Sequence, residues 1–278
     1  MSEPFEFPTE EFGSLEAAAA FPGPSSIKFV EAGWTFDYFL HPKGNETLVV
    51  MLPSALMAAN RRVPHFYRWS WSALMPEFDV LCVSDPMLYL GDEVLAGWMT
   101  GRADDNLVER IDDHLAKLQT ILGYKNIIFA GSSLGGYVGL LLAASAKDRG
   151  LDLGRGGVYA ENPQIDLLQF GKLGPQNLIA QLVYGVETAA EIPSQYLERW
   201  NAADYIANRN LDFNGTVLIK ESDVHHYQVH IPILRKMLAD KKSNRIEIEV
   251  IPKEVDNTGH TALTLREMKP RLLRLLQR

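Results

Sequence analysis

The segment NIIFAGSSLGGYVGLLLAASA, Asn126 to Ala146, constrains the fold of this 278-residue chain more than any other. About 20 mostly apolar residues can cross a bilayer as a helix. Gly131, Gly135 and Gly136 interrupt this run, however, and Ser132 and Ser133 sit near its middle. A strand, a tight turn and a helix fit better. The turn reads G-x-S-x-G, with Ser133 in the central place. Where a strand bends sharply into a helix, the apex residue is strained, and only small residues two before and two after it escape collision. Ser133 would then project its hydroxyl at the top of a sheet, at a helix N-terminus that favours a developing anion. The bland alternative is a Gly-Ser turn between two buried elements. A phosphate-cradling loop fits less well, because no Gly-Lys-Ser/Thr follows and the spacing is not G-x-G-x-x-G.

Around this segment, runs rich in Val, Ile and Phe alternate with stretches of helical period, the pattern of a mostly parallel sheet flanked by helices. SIKFVEAG and WTFDYFLH predict an antiparallel hairpin; TLVVMLP, FDVLCVSD, KNIIFAG, GGVYAEN, TVLIKES and RIEIEVIP bring the expected strands to eight. Leu107, Ile111, Leu115, Leu118 and Ile121 recur at helical steps and predict one covering face. Leu265, Met268, Leu272 and Leu276 predict a closing helix.

From Asn162 to Asn210 nearly fifty residues separate consecutive strands, too many for a simple crossover. The expected organisation is an N-terminal extension over residues 1–25 and an α/β core over 26–161 and 211–278. A small helical cap, 162–210, is inserted after the sixth strand, over the C-terminal sheet edge where such folds bind ligands. Phe170, Tyr184, Tyr196 and Trp200 would line an acyl pocket or hold that cap together.

A net charge of −8, from 27 Lys and Arg against 35 Asp and Glu, argues against nucleic acid or an anionic membrane surface as partner. The first residues carry carboxylates where a secretory signal carries Lys or Arg, and AAAAF is too short for its apolar region, so a cytoplasmic protein without a membrane span is expected. The single cysteine, Cys82, lies in an apolar run and is read as a buried, inert thiol.

A serine hydroxyl needs a base to take its proton, and the base needs an acid to fix its tautomer. His260, after the last strand and before the final helix, is the best-placed base. Asp223, directly after a late strand, is the expected acid, with Asp166 as the fallback. The competing reading of Asp223 is a turn or helix cap. An oxyanion hole needs two backbone N–H groups: Leu134, next after Ser133, should give one, and Ser54 or Ala55, in the loop after TLVVML, the other. Pro53 has no N–H to give.

At GSSLGG, SDVHH and TGH, with the order Ser133, Asp223, His260, the chain resembles the α/β-hydrolase superfamily from about Ser26 onward. The resemblance implies an eight-stranded sheet and serine-based acyl chemistry, with no cofactor required. The oxyanion loop reads PSAL rather than the His-Gly of many esterases and lipases, which argues against a simple lipase. The stretches LPSA, ENPQID and SDVHHYQVH are also similar to bacterial hydrolase-fold enzymes of capsule and surface polysaccharides, among them O-acetyltransferases. That likeness implies acetyl-CoA as the donor substrate and a saccharide hydroxyl as the acceptor. Hydrolysis and transfer share one acyl-enzyme and differ in whether water or an alcohol arrives next.

Two other classes remain in view. Asp223, His225, His226 and His230 invite a metal reading, with His226 and His230 one helical turn apart, although no further ligand set accompanies them and no metal is expected. A binding protein that keeps the fold without the reaction is the other. In NRRVPHFYRWSW, Arg61, Arg62 and Arg68 would hold an anionic or sugar substrate, and Trp69 and Trp71 would stack on it, with Trp200 contributing from the cap; the alternative is ordinary packing.

Overall fold

The computed structural model describes residues 10–169, 173–239 and 245–278. Among the described residues nine strands form one sheet: β1 (Glu11–Phe12), β2 (Ser25–Glu31), β3 (Trp34–His41), β4 (Thr47–Met51), β5 (Asp79–Val83), β6 (Asn126–Ser132), β7 (Gly157–Glu161), β8 (Gly215–Lys220) and β9 (Ile246–Ile251). Their order is β1-β2-β3-β5-β4-β6-β7-β8-β9. The eight expected strands are β2 to β9. The ninth, β1, is two residues long and pairs parallel to β2, too short to carry a periodic signal. Residues 11–19, assigned by sequence to an extension, thus join the sheet edge and add α1 (Leu15–Ala19), whose Leu15 and Ala18 enter the core.

β2 and β3 form the expected hairpin, with Glu31 opposite Trp34 and left-handed Ala32 and Gly33 between them. Two such residues make the turn whose twist matches that of the strands. β3 is also antiparallel to β5, and from β5 to β9 every pairing is parallel. Helices cover both faces, so central strands are apolar on both sides. On β4, Leu48 and Val50 enter one core cluster and Val49 and Met51 the other, the two-residue period of a strand.

The larger cluster is built with α2 (Leu107–Leu122), α3 (Leu134–Asp148), α5 (Ala202–Asn208) and α6 (Ile231–Ala239); the smaller is closed by α7 (Leu265–Leu275). Residues Leu134 to Ala146 of α3 are all buried, which explains the unbroken apolar run that also satisfies the length of a membrane span. Among the described residues no helix is long and apolar enough to cross a membrane. On α2 the expected face holds from Leu107 to Leu118, but Ile121 is 43% exposed: it stands in the last turn, one residue before the helix ends at Leu122 and left-handed Gly123 caps it. In α7 Leu275, not Leu276, is the buried residue of the last turn.

The segment 162–210 holds α4 (Gly174–Ile179), a π-helical turn at Ala180–Tyr184, short 3-10 turns and α5. Ile165, Leu167, Ile179, Ala189, Ile192 and Trp200 are buried in the main core cluster, and Tyr137 Oη of α3 donates to the Arg199 carbonyl at 2.5 Å. Phe170 lies outside the described residues.

β4 and β6 are neighbours whose onward connections run to opposite sides of the sheet, the switch point beside whose C-terminal ends open α/β sheets bind ligands. Leu115→Ala on α2 is expected to cost about 2–5 kcal/mol in chemical denaturation. Ile121→Ala, on the same helix, is expected to stay within about 0.5 kcal/mol.

Candidate active site

Ser133 stands at the junction of β6 and α3 with φ 54° and ψ −114°, a region closed to most side chains unless the surroundings enforce it. The flanking glycines allow it. A Cβ on Gly131 would lie 2.3 Å from the Gly135 carbonyl carbon, and a Cβ on Gly135 would lie 2.7 Å from the Pro53 carbonyl oxygen. The second contact also shows that the loop carrying Ser54 and Ala55 packs on the first turn of α3, where Leu134 begins the helix with an N–H that has no helical acceptor. Ser54 Oγ lies 3.2 Å from His65 Nε2, and burial holds His65 below the usual histidine range.

Asp223 lies three residues past β8, and His260 follows β9 on the loop to α7. His260 Nδ1 donates to Asp223 Oδ2 at 2.5 Å, and His226 Nδ1 donates to Oδ1 at 2.9 Å. Burial alone would raise the Asp223 pKa, but the hydrogen bonds and charges of His226 and His260 outweigh it and hold the carboxyl well below the carboxylate range. The fallback acid, Asp166, instead caps its own turn, accepting from the Leu168 N–H at 2.9 Å.

Ser133 Oγ accepts a hydrogen bond from Gln164 Nε2 at 2.9 Å, and the same nitrogen lies 3.3 Å from His226 Nε2. Ser133, Gln164, His226, Asp223 and His260 therefore form one connected chain at the C-terminal ends of β6, β7, β8 and β9. Sequence reasoning passed over Gln164, whose one signal is its position just after β7. It weighed His226 with His230 as a metal pair and set that reading aside. The structure winds His226–His230 as a π-helical turn, with ring centroids 5.2 Å apart, and Asp223, His226 and His260 instead bring possible ligand atoms within 4.8 Å of one another. These groups satisfy one another by hydrogen bonds.

Two anchors fix the His260 loop. Lys220 Nζ, almost fully buried, donates to Thr258 Oγ1 at 2.8 Å and pairs with Asp256 at 2.7 Å. Glu161, fully buried, pairs with Arg68 at 2.8 Å and accepts from the Leu263 N–H at 3.3 Å. Its own carbonyl accepts the Ser133 N–H at 2.8 Å.

The residues expected to bind substrate take other partners. Arg68 is committed to Glu161 and to the Leu263 carbonyl, with its guanidinium over Trp71 at 4.3 Å. Arg61 donates to the Leu88 and Gly91 carbonyls and pairs with Asp92, bracing a loop. Trp69 packs edge-on against Phe39 and onto the smaller core cluster, on the α7 face. Trp200 is 0% exposed in the larger cluster and donates from Nε1 to Tyr184 Oη at 3.4 Å. Arg62 is exposed. In each committed case, a large side chain found a packing or ion-pair partner inside the fold.

Cys82 is fully buried, and burial pushes its thiol far above the ordinary range. A surface hollow of about 480 Å³ between Asn214, Arg245, Glu247 and Arg278 lies at the N-terminal ends of β8 and β9, away from Ser133.

Removing Arg68 would leave Glu161 charged and unpaired in the interior, so Arg68→Met is expected to cost about 3–5 kcal/mol by denaturant titration. Arg68→Met with Glu161→Gln should recover part of that loss. His230 gives a second expectation: burial, then the charges of His226 and His225, hold its pKa at about 3, down from 6.5. A histidine with a depressed folded-state pKa contributes stability that is complete above 6.5 and is lost as pH falls toward the folded value. Melting temperature should therefore fall as pH is lowered from 6.5 toward about 3, and His230→Gln should flatten that slope.

No protein-family model matches the chain, and no curated protein matches it. Among solved structures it is similar to the capsule O-acetyltransferase of Neisseria meningitidis serogroup A, with 16% identity and a TM-score of 0.61 over 90% of this chain and 96% of the other. The S-formylglutathione hydrolase of Agrobacterium tumefaciens gives 14% and 0.60 over 93% and 96%. The HSL homologue EstE7 from a metagenome library gives 13% and 0.55 over 94% and 91%. Sheet order, the strained serine turn and these likenesses agree: the chain has the α/β-hydrolase fold.

Proposed function

We propose that the protein is a serine-dependent acyl hydrolase of esterase type, with Ser133 as nucleophile, His260 as base and Asp223 as the acid that orients it. The observation that carries this reading is the 2.5 Å bond from His260 Nδ1 to Asp223 Oδ2, linked through His226 and Gln164 to a serine held at φ 54°. With Nδ1–H given to an ionised carboxylate, neutral His260 keeps its proton there and offers Nε2 as the base.

Ser133 Oγ attacks the ester carbonyl carbon while its proton passes to His260 Nε2. The carbonyl π electrons move to the oxygen, whose charge faces the Leu134 N–H and the N–H of Ser54 or Ala55. Collapse of the tetrahedral intermediate breaks the bond to the leaving alcohol, which takes the proton from His260. Water then gives a proton to His260 and attacks the acyl-enzyme. Departure of Ser133 Oγ, reprotonated by His260, releases the acid.

A second reading is favoured by the likeness to the capsule O-acetyltransferase along nearly the whole of both chains. Here acetyl-CoA acylates Ser133 with loss of the thiol, and a sugar hydroxyl replaces water. A non-catalytic binding protein of this fold is the third.

Purified protein is assayed with p-nitrophenyl acetate, with acetyl-CoA plus an oligosaccharide acceptor, and with a fluorophosphonate probe. Ester turnover and labelling that vanish in Ser133→Ala are expected, together with a loss of about 10³–10⁴-fold in kcat for Asp223→Asn. Acetyl transfer without ester turnover selects the second reading. A folded protein that never labels selects the third.

A further inference from the structure

The carboxylate that holds His260 holds a second imidazole as well. His226 gives its Nδ1–H to Asp223 Oδ1, and its ring stacks on that of His260, centroids 4.3 Å apart and planes 18° apart. With both oxygens of Asp223 engaged, the carboxylate cannot rotate without breaking one of two charge-assisted bonds. The two rings differ in exposure: the His226 side chain is 6% accessible and that of His260 41%.

Gln164 extends the array to the nucleophile. Left-handed Asn162, at φ 41°, donates its N–H to the Leu218 carbonyl and accepts the Lys220 N–H on Oδ1, which turns the chain back over α3. Pro163 settles against Gly136, where any Cβ would meet it at 3.0 Å. Gln164, 2% exposed, then sits between Ser133 and His226. An amide nitrogen carries two N–H groups and accepts nothing. Ser133 Oγ and His226 Nε2 are therefore both acceptors, and the hydroxyl proton of Ser133 must point elsewhere. In the reversed amide Oε1 would face the bare Nε2 lone pair of His226, because burial opposes a second proton on that ring more than Asp223 favours it.

We infer that His226 and Gln164 are a positioning pair for the serine: His226 locks the Asp223 carboxylate and the plane of His260, and Gln164 occupies one lone pair of Ser133 Oγ, leaving its proton for His260. This inference rests on the serine reading above. It assigns work to a neutral, buried imidazole while the proton taken from Ser133 stays on the outer one.

The experiment measures kcat and KM for p-nitrophenyl acetate, and the rate of fluorophosphonate labelling, in variants whose melting curves show them folded. His226→Phe keeps a ring for the stack and removes the bond to Asp223. Gln164→Glu keeps the shape and replaces the donor with an acceptor that captures the Ser133 proton. Each is expected to lower kcat and labelling rate by about 10²-fold, the cost of a small misplacement of reacting groups, with KM changed by less than about threefold. His226→Asn, whose side-chain N–H can still reach Asp223, should recover about tenfold of the loss. If His226→Phe does not fold, Gln164→Glu decides alone. Wild-type rates in the folded variants, with Ser133→Ala silent, would overturn this inference and leave the serine chemistry standing. Labelling of Ser133→Ala at the wild-type rate, or no labelling of the wild type, would instead overturn the serine reading itself.

Discussion

Glu161 is the residue on which the assembly of the site depends. Its carbonyl fixes the N–H of Ser133, and its fully buried carboxylate is shared by Arg68 and the N–H of Leu263, three residues past His260. Three segments far apart in the chain thus meet on one residue at the end of β7. A buried carboxylate is tolerable only when paired and hydrogen-bonded. The need to satisfy it keeps the segment after β4, the serine turn and the C-terminal loop in register with one another.

Upon this frame the strained serine turn is possible. The backbone at Ser133 is costly by itself, and it persists because β6 and α3 are both buried deep in the core while Gly131 and Gly135 leave no side chain to collide. The same close packing brings the Pro53 loop onto the first turn of α3, where a carbonyl oxygen gaining charge would meet backbone N–H groups. Rigidity and chemistry share one cause: there is no room for another arrangement.

The electrostatics of the cluster follow from who is buried. Asp223 accepts from two imidazoles and stays ionised; His226 and His230, hidden from water, stay neutral; of the connected set His260 is exposed and Ser133 half-buried. The segment 162–210, which sequence separates as a cap, contributes core residues and supplies Gln164 beside Ser133. It belongs to the site as much as to the roof over it.

The sequence by itself determined the eight main strands, the hairpin at the start, the α2 and α7 faces and the G-x-S-x-G turn, because hydrophobic period and glycine spacing are local properties written in consecutive residues. It also brought forward Ser133, Asp223 and His260 as candidates, through their order relative to strands. Only the tertiary structure decided that Asp223 rather than Asp166 meets His260, that Arg61, Arg68, Trp69 and Trp200 serve packing and ion pairs, and that Gln164 and His226 join the serine. The contacts Ser133–Gln164, Gln164–His226, Asp223–His260 and Arg68–Leu263 join residues 31 to 195 positions apart. Linear spacing holds no information about which buried polar group finds which partner until the chain has closed around them.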